Sequence, residues 1–68
     1  MPIDIVVNGE LRTISPGQSI LELLRQLELE PARVAVELDR RIVKQPRWGE
    51  TLLQPGAQVE IVQFVGGG

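Results

Sequence analysis

An α+β fold is what this sequence predicts: a mixed sheet of four to five strands with one helix packed on one face. Three observations carry the prediction. Two short segments, the first with apolar residues at every second position, flank Asn8-Gly9 near the start of the chain. A segment with apolar residues at helical spacing then follows a serine. Further alternating segments, rich in β-branched residues, occupy the second half.

The first strand rests on Ile3, Ile5 and Val7, which alternate with the period of a half-buried strand. Asn8-Gly9 is the strongest short hairpin signal, because both turn positions require φ > 0. The second strand runs from Glu10 to Ile14. A two-residue loop places Val7 opposite Glu10, Val6 opposite Leu11 and Ile3 opposite Ile14, and a slip of one residue would exchange the faces.

Ser15-Pro16-Gly17 ends the hairpin, and Ser19-Ile20-Leu21-Glu22 fits a capping box in which serine and glutamate satisfy each other's backbone amides. Ile20, Leu23, Leu24 and Leu27 recur at helical spacing, with Glu22, Arg25 and Gln26 on the other side. The helix stops before Pro31. Val34, Val36 and Leu38 give a third strand, Asp39-Arg40 a tight turn, and Arg41 to Val43 a short fourth strand. Residues 46–51 read as irregular, with Trp48 covering one end of the core. Gln54-Pro55-Gly56-Ala57 is a turn. The last strand is expected over 58–65, before Gly66-Gly67-Gly68. This order of hairpin, crossing helix and later strands is the β-grasp, or ubiquitin-like, arrangement. Its first and last strands lie parallel in the middle of the sheet. Residues 1–65 form the single domain and 66–68 a flexible glycine tail.

Composition narrows the function. Sixty-eight residues with 43% apolar content make one small core with no room for a deep pocket. The absence of cysteine removes disulfides and thiolate-bound zinc. A net charge of −2 gives no general affinity for nucleic acid. No apolar run is long enough to span a membrane. Met1-Pro2-Ile3-Asp4 has neither the basic region nor the apolar core of a signal peptide, so the expected location is the cytoplasm.

Enzyme chemistry finds little footing. Histidine, cysteine and tyrosine are all absent, which removes the usual nucleophile–base pairs and most transition-metal sites; no metal site is expected. Glu22, Glu28, Glu30 and Glu37 are near in sequence, but nothing in the pattern gathers two of them in one apolar cleft, and they read as solvated carboxylates. Arg40, Arg41, Lys44 and Arg47 could contact an acidic partner or a phosphate. Without interleaved aromatic residues a solvated hairpin edge accounts for them better.

The terminal glycines admit two explanations. One is a frayed end. The other follows from geometry. Three glycines extend about 10 Å at roughly 3.3–3.6 Å per residue, and without Cβ atoms they can enter a channel closed to other residues. At the tip stands a carboxylate, expected to be ionised at neutral pH.

The stretch Val34-Ala35-Val36-Glu37-Leu38-Asp39, then Ile42-Val43, Trp48, Glu50-Thr51, Gly56 and the ending Val59 to Gly68, closely resembles the ThiS family, the sulfur carriers of thiamine biosynthesis. The resemblance covers nearly the whole chain, and Phe64-Val65-Gly66-Gly67-Gly68 is its most specific part. Asp39, where such proteins often carry asparagine, and Gln63 are minor departures. The resemblance implies that the chain is not an enzyme but a recyclable protein co-substrate with no bound cofactor. An E1-like adenylyltransferase would join the Gly68 carboxylate to AMP from ATP, with Gly66 and Gly67 threading partner active sites. Sulfur from a persulfide, supplied by a cysteine desulfurase or another donor, would then leave a thiocarboxylate for thiazole synthase to consume. Two alternatives stand beside it: the related carrier of molybdopterin synthesis, whose members tend to carry prolines shortly before the tail, and a plain ubiquitin-like interaction module.

The last strand adds a docking surface. With Val59 and Ile61 in the core, Val62 and Phe64 point to the face without a helix. There they are expected to join Val6 and Leu11 as one contiguous apolar group at the root of the tail, where an activating enzyme would hold the domain.

Overall fold

The computed structural model describes residues 1–64; Val65 to Gly68, and with them the end of the expected domain and its tail, lie outside the described residues. Strands β1 (Ile3–Val7) and β2 (Glu10–Ile14) form the hairpin, helix α1 (Ile20–Gln26) follows, and β3 (Val34–Leu38), β4 (Arg41–Val43) and β5 (Gln58–Gln63) complete the sheet. The strand order is β2-β1-β5-β3-β4. Strands β1 and β5 run parallel and the remaining pairs antiparallel. The β-grasp expectation holds, with β5 at the centre. Among the described residues no helix is long and apolar enough to cross a membrane.

The hairpin has the predicted register, Ile3 opposite Ile14, Val6 opposite Leu11 and Val7 opposite Glu10. Asn8 and Gly9 take φ of 50° and 82°, the left-handed pair that a two-residue turn between twisted strands requires. One face of the sheet is therefore set locally. Ile5, Val7 and Ile14 point to α1, with Val36 and Val59 beside them.

Seven residues are too few for a helix to persist alone, and α1 survives by its ends and by one face. Ser19 Oγ accepts from the Glu22 amide at 3.1 Å, and Glu22 Oε1 accepts from the Ser19 amide at 3.0 Å. Ile20, Leu23 and Leu24 are fully buried against the sheet. The helix ends well before Pro31. The Leu29 amide donates to the Leu24 carbonyl and the Glu28 amide to the Arg25 carbonyl, with Glu28 at φ 60°. These two bonds make a Schellman cap, and the sequence hid it because glutamate stands where glycine is usual.

Two short 3₁₀ turns follow, Pro31–Arg33 and Gln45–Arg47, the second running into the stretch 46–51 expected to be irregular; each has a proline in its first two positions, where no amide partner is needed. The second delivers Trp48 into the core, where it is 2% exposed and its Nε1 donates to the Val43 carbonyl at 2.7 Å. Trp48 is thus a core residue and more than a cover over one end. Leu53 and Ala57, which periodicity did not single out, are buried as well. Leu53 is drawn in because its amide donates to the Gln18 carbonyl while Ser19 and Leu52 form a single bridge.

Candidate functional site

The strand that leads toward the glycines is bonded on both sides. On one side the Val6 amide donates to Ala57 and the Asn8 amide to Val59, both at 2.9 Å. Beyond the end of β1 the Asn8 side chain takes over: Nδ2 donates to the Ile61 carbonyl at 3.1 Å and Oδ1 accepts from the Ile61 amide at 2.7 Å. On the other side β3 pairs with β5 from Leu38–Val59 to Val34–Gln63. The strand ends at Gln63, short of the expected 65, yet the Phe64 amide still donates to the Arg33 carbonyl at 2.7 Å. Backbone order therefore reaches the last described residue. Gly66, Gly67 and Gly68, the residues expected to carry the chemistry, lie outside the described residues.

The face opposite α1 carries all the residues expected to dock a partner. Leu11 is 71% exposed, Val62 59% and Phe64 57%, and Val6 is half-buried. Their grouping differs from expectation. Val6 lies opposite Gln58 on β5, so Val62 is four positions, about 13 Å of strand at ~3.3 Å per residue, further along. Val6 and Leu11 form one cross-strand pair; Val62 belongs to another group, with Glu60 and Gln58 between. The expected single patch is two. The correction has a simple cause: alternation fixes which face a residue takes, while the shift between β1 and β5 depends on how the two strands dock.

The neighbours of Val62 come from β3 and β4. Ala35 is directly opposite it, and Ile42, itself opposite Glu37, is 76% exposed. Together with Glu37 and Glu60 they line a shallow recess of about 130 Å³. Ile42 was not among the expected residues. Its signal was the alternation Arg41-Ile42-Val43, in which an inward Val43 forces an outward isoleucine.

A larger hollow of about 290 Å³ lies on the other side of the sheet, past the end of α1, walled by Val7, Leu27, Leu29 and Ile61 and rimmed by Arg12 and Gln63. The charged residues weighed as candidates are dispersed. Glu22 caps the helix, Glu28 ends it, and Glu30 pairs with Arg33 at 3.0 Å on the surface. Arg47 reaches Glu50 at 4.0 Å, and Arg41 sits on β4 opposite Leu38. No cleft gathers them.

Comparison with known proteins agrees with this geometry. The family model described as the ThiS family matches residues 5–68. The "Sulfur carrier protein ThiS" of Escherichia coli is 30% identical over 66 residues, covering 97% of this chain and all of that one. A "Thiazole synthase" of Magnetococcus marinus is 38% identical over 64 residues, and another from Paramagnetospirillum magneticum is 36% identical. In both cases the match covers 94% of this chain but only 20% of the relative, so the chain spans about a fifth of their length. Among solved structures, a thiamine biosynthesis protein (ThiS) of Geobacter metallireducens superposes with a TM-score of 0.84 at 29% identity, covering 97% of this chain and 100% of that one. A designed protein based on human ubiquitin, at 18% identity and a TM-score of 0.50, is similar in fold alone.

Proposed function

The chain belongs to the ThiS family, the sulfur carriers of thiamine biosynthesis, and from that premise we propose that its working group is the Gly68 carboxylate, alternately carboxylate and thiocarboxylate. The observation that carries this reading is the central strand β5, bonded on both sides as far as Ile61 and on the β3 side as far as Phe64, and followed in sequence by Val65-Gly66-Gly67-Gly68. A folded body of this kind gives an enzyme something firm to hold while its active site works on a thin, side-chain-free segment.

The chemistry belongs to the partners. A Gly68 oxygen attacks the α-phosphorus of ATP on an E1-like adenylyltransferase, and pyrophosphate leaves. The product is a mixed anhydride, with AMP a good leaving group. The outer sulfur of a cysteine persulfide attacks the acyl carbon and displaces AMP. A thiol then cleaves the acyl disulfide, is itself oxidised to a disulfide, and leaves the thiocarboxylate. Thiazole synthase accepts that sulfur, and an oxygen atom from its substrate or from water replaces it at the acyl carbon, which returns the carboxylate. The relatives named thiazole synthase that contain a stretch like this chain support the last assignment. In this scheme the protein binds no cofactor, catalyses nothing itself and works in the cytoplasm. The helix-free face, with Val62 and Phe64 on the side of the tail root and Val6 with Leu11 farther back, is where the activating enzyme holds it.

The test is intact-protein mass spectrometry after incubation with ATP, the adenylyltransferase and a persulfide donor. The expected product carries one sulfur in place of one oxygen, located at Gly68 by fragmentation. An unchanged mass, with a control carrier converted in the same mixture, would overturn the reading.

A further inference from the structure

Strand β2 is one edge of the sheet, and all of its residues but Ile14 are exposed. A free strand edge invites a further strand, and proteins usually block it with lysine, proline, a bulge or a very short strand. The opposite edge, β4, is three residues long and carries Arg41. Strand β2 has five residues, none of them proline or lysine, and its register with β1 is unbroken by any bulge. Its guard is a pair of charges on the helix side, where Glu10 and Arg12 stand opposite Val7 and Ile5. Neither takes part in an ion pair among the described residues, where the pairs are Arg33–Glu30 and Arg47–Glu50.

The backbone settles which registers an added strand can take. A two-residue turn makes Val7 and Glu10 a hydrogen-bonded pair, and alternation makes Ile5 and Arg12 the next. The backbone groups of Leu11 and Thr13 therefore point out from the edge. An antiparallel second β2 can bond to them with Leu11 on Leu11, or shifted by two residues. A shift one way sets Arg12 against Arg12 and the other way Glu10 against Glu10, like charges that destabilise a strand pair. With Leu11 on Leu11, each Glu10 faces Arg12 of the other copy, with Cα atoms about 4.5 Å apart. The two Leu11 side chains, each 71% exposed in the single copy, then meet on the other face beside Val6.

We propose that this protein forms a weak two-fold dimer through β2, its two sheets joined edge to edge and held in register by reciprocal Glu10–Arg12 pairs. Reciprocity selects a second copy as the occupant. A two-fold contact repeats every pair, and the order Glu10-Leu11-Arg12 is its own complement when read antiparallel. Five residues at about 3.4 Å each give an edge of only ~17 Å, well short of a standard interface, so the association is transient. Strand β1 lies between β2 and β5. The dimer therefore leaves the strand that leads to the glycines uncovered, and the two-fold points the two β5 strands in opposite directions. This contact goes beyond the sulfur-carrier reading and does not depend on it.

Sedimentation equilibrium of the free protein, from about 20 µM to about 2 mM and at about 50 and about 300 mM salt, tests the dimer. Wild type should dimerise at the upper concentrations, less so at high salt. Arg12→Glu and Glu10→Arg should each weaken self-association at least about fivefold, because each sets like charges opposite. Glu10→Arg/Arg12→Glu should restore it to within about twofold, since exchange of the two charges preserves the complementary register. An equimolar mixture of the two single variants, in which every cross-copy pair has opposite signs, should associate at least as well as wild type. Both positions are exposed, so the circular dichroism of every variant should match wild type. A wild type still monomeric at the highest concentration overturns the dimer. Single variants that associate like wild type, or a double variant as weak as the single ones, overturn the register and with it the proposal.

Discussion

The carboxamide of Asn8 bonds both backbone groups of Ile61, a residue 53 positions away, and so lengthens the β1–β5 ladder past the point where β1 turns back. Asn8 thus has two tasks. Its backbone at φ 50° makes the hairpin turn, and its side chain stands in for the next residue of a strand that has already ended. The bonds hold β5 two residues before the end of the strand.

Asn8→Gly separates these tasks, because glycine keeps the left-handed turn and deletes only the carboxamide. The expected loss is about 1 kcal/mol in urea denaturation, the range for two partly exposed hydrogen bonds, with an unchanged slope. Amide exchange at Ile61 should quicken more than at Val36. Equal stability and exchange in the two proteins would show that the pairing contributes nothing.

Glu28 ends α1 at φ 60°, a conformation that costs a residue with a Cβ atom roughly 1–2 kcal/mol. Glu28→Gly should therefore stabilise the protein, by about 0.5–1 kcal/mol after glycine's greater unfolded-state entropy is subtracted. Thermal melting reads the change as a rise of a few degrees. A lower melting temperature would mean that the Glu28 side chain makes a contribution larger than its backbone strain.

Trp48 is 2% exposed and its indole N–H is satisfied by Val43. Trp48→Ala should cost about 3–5 kcal/mol, enough to unfold a domain of this size at room temperature or nearly so. Trp48→Phe should cost less, because much of the ring volume is retained and the main loss is the bond to the Val43 carbonyl. Circular dichroism against temperature distinguishes the two.

Every buried residue among those described lies between Ile5 and Val59. Deleting Gly67 and Gly68 should accordingly change stability by under about 0.5 kcal/mol while abolishing ATP-dependent modification. Gly67→Val should keep the fold and reduce thiocarboxylate formation at least about a hundredfold, since a branched side chain obstructs a narrow channel and excludes φ > 0. Normal conversion of Gly67→Val, followed by mass spectrometry, would remove the threading argument.

Val62→Asp tests the face apart from the tail. With Val62 59% exposed, the variant should remain folded and lose under about 1 kcal/mol, the span of strand preference. Its binding to the adenylyltransferase should weaken through lost apolar contact and a third carboxylate beside Glu37 and Glu60. An unfolded variant would place Val62 in the core and contradict the register of β3 and β5.

What the sequence by itself determined was whatever depends on neighbours within a few residues. The two-residue turn set the register of β1 against β2, Ser19 and Glu22 capped α1, and alternation assigned Val59 inward and Val62 outward. Each is decided by bond geometry and a period of 2.0 or 3.6 residues. Tertiary structure decided what depends on how distant segments slide and stack. It separated Val62 from Val6 and Leu11, set Ile42 and Ala35 beside Val62, faced Glu37 with Glu60, and gave Asn8 its second partner. Burial of Leu53 and Ala57 and the entry of Trp48 into the core belong here too, since their loops lack any period. A strand's sequence states which side each residue takes. The displacement between strands is chosen by the fit of the whole core against α1, and no local pattern encodes it.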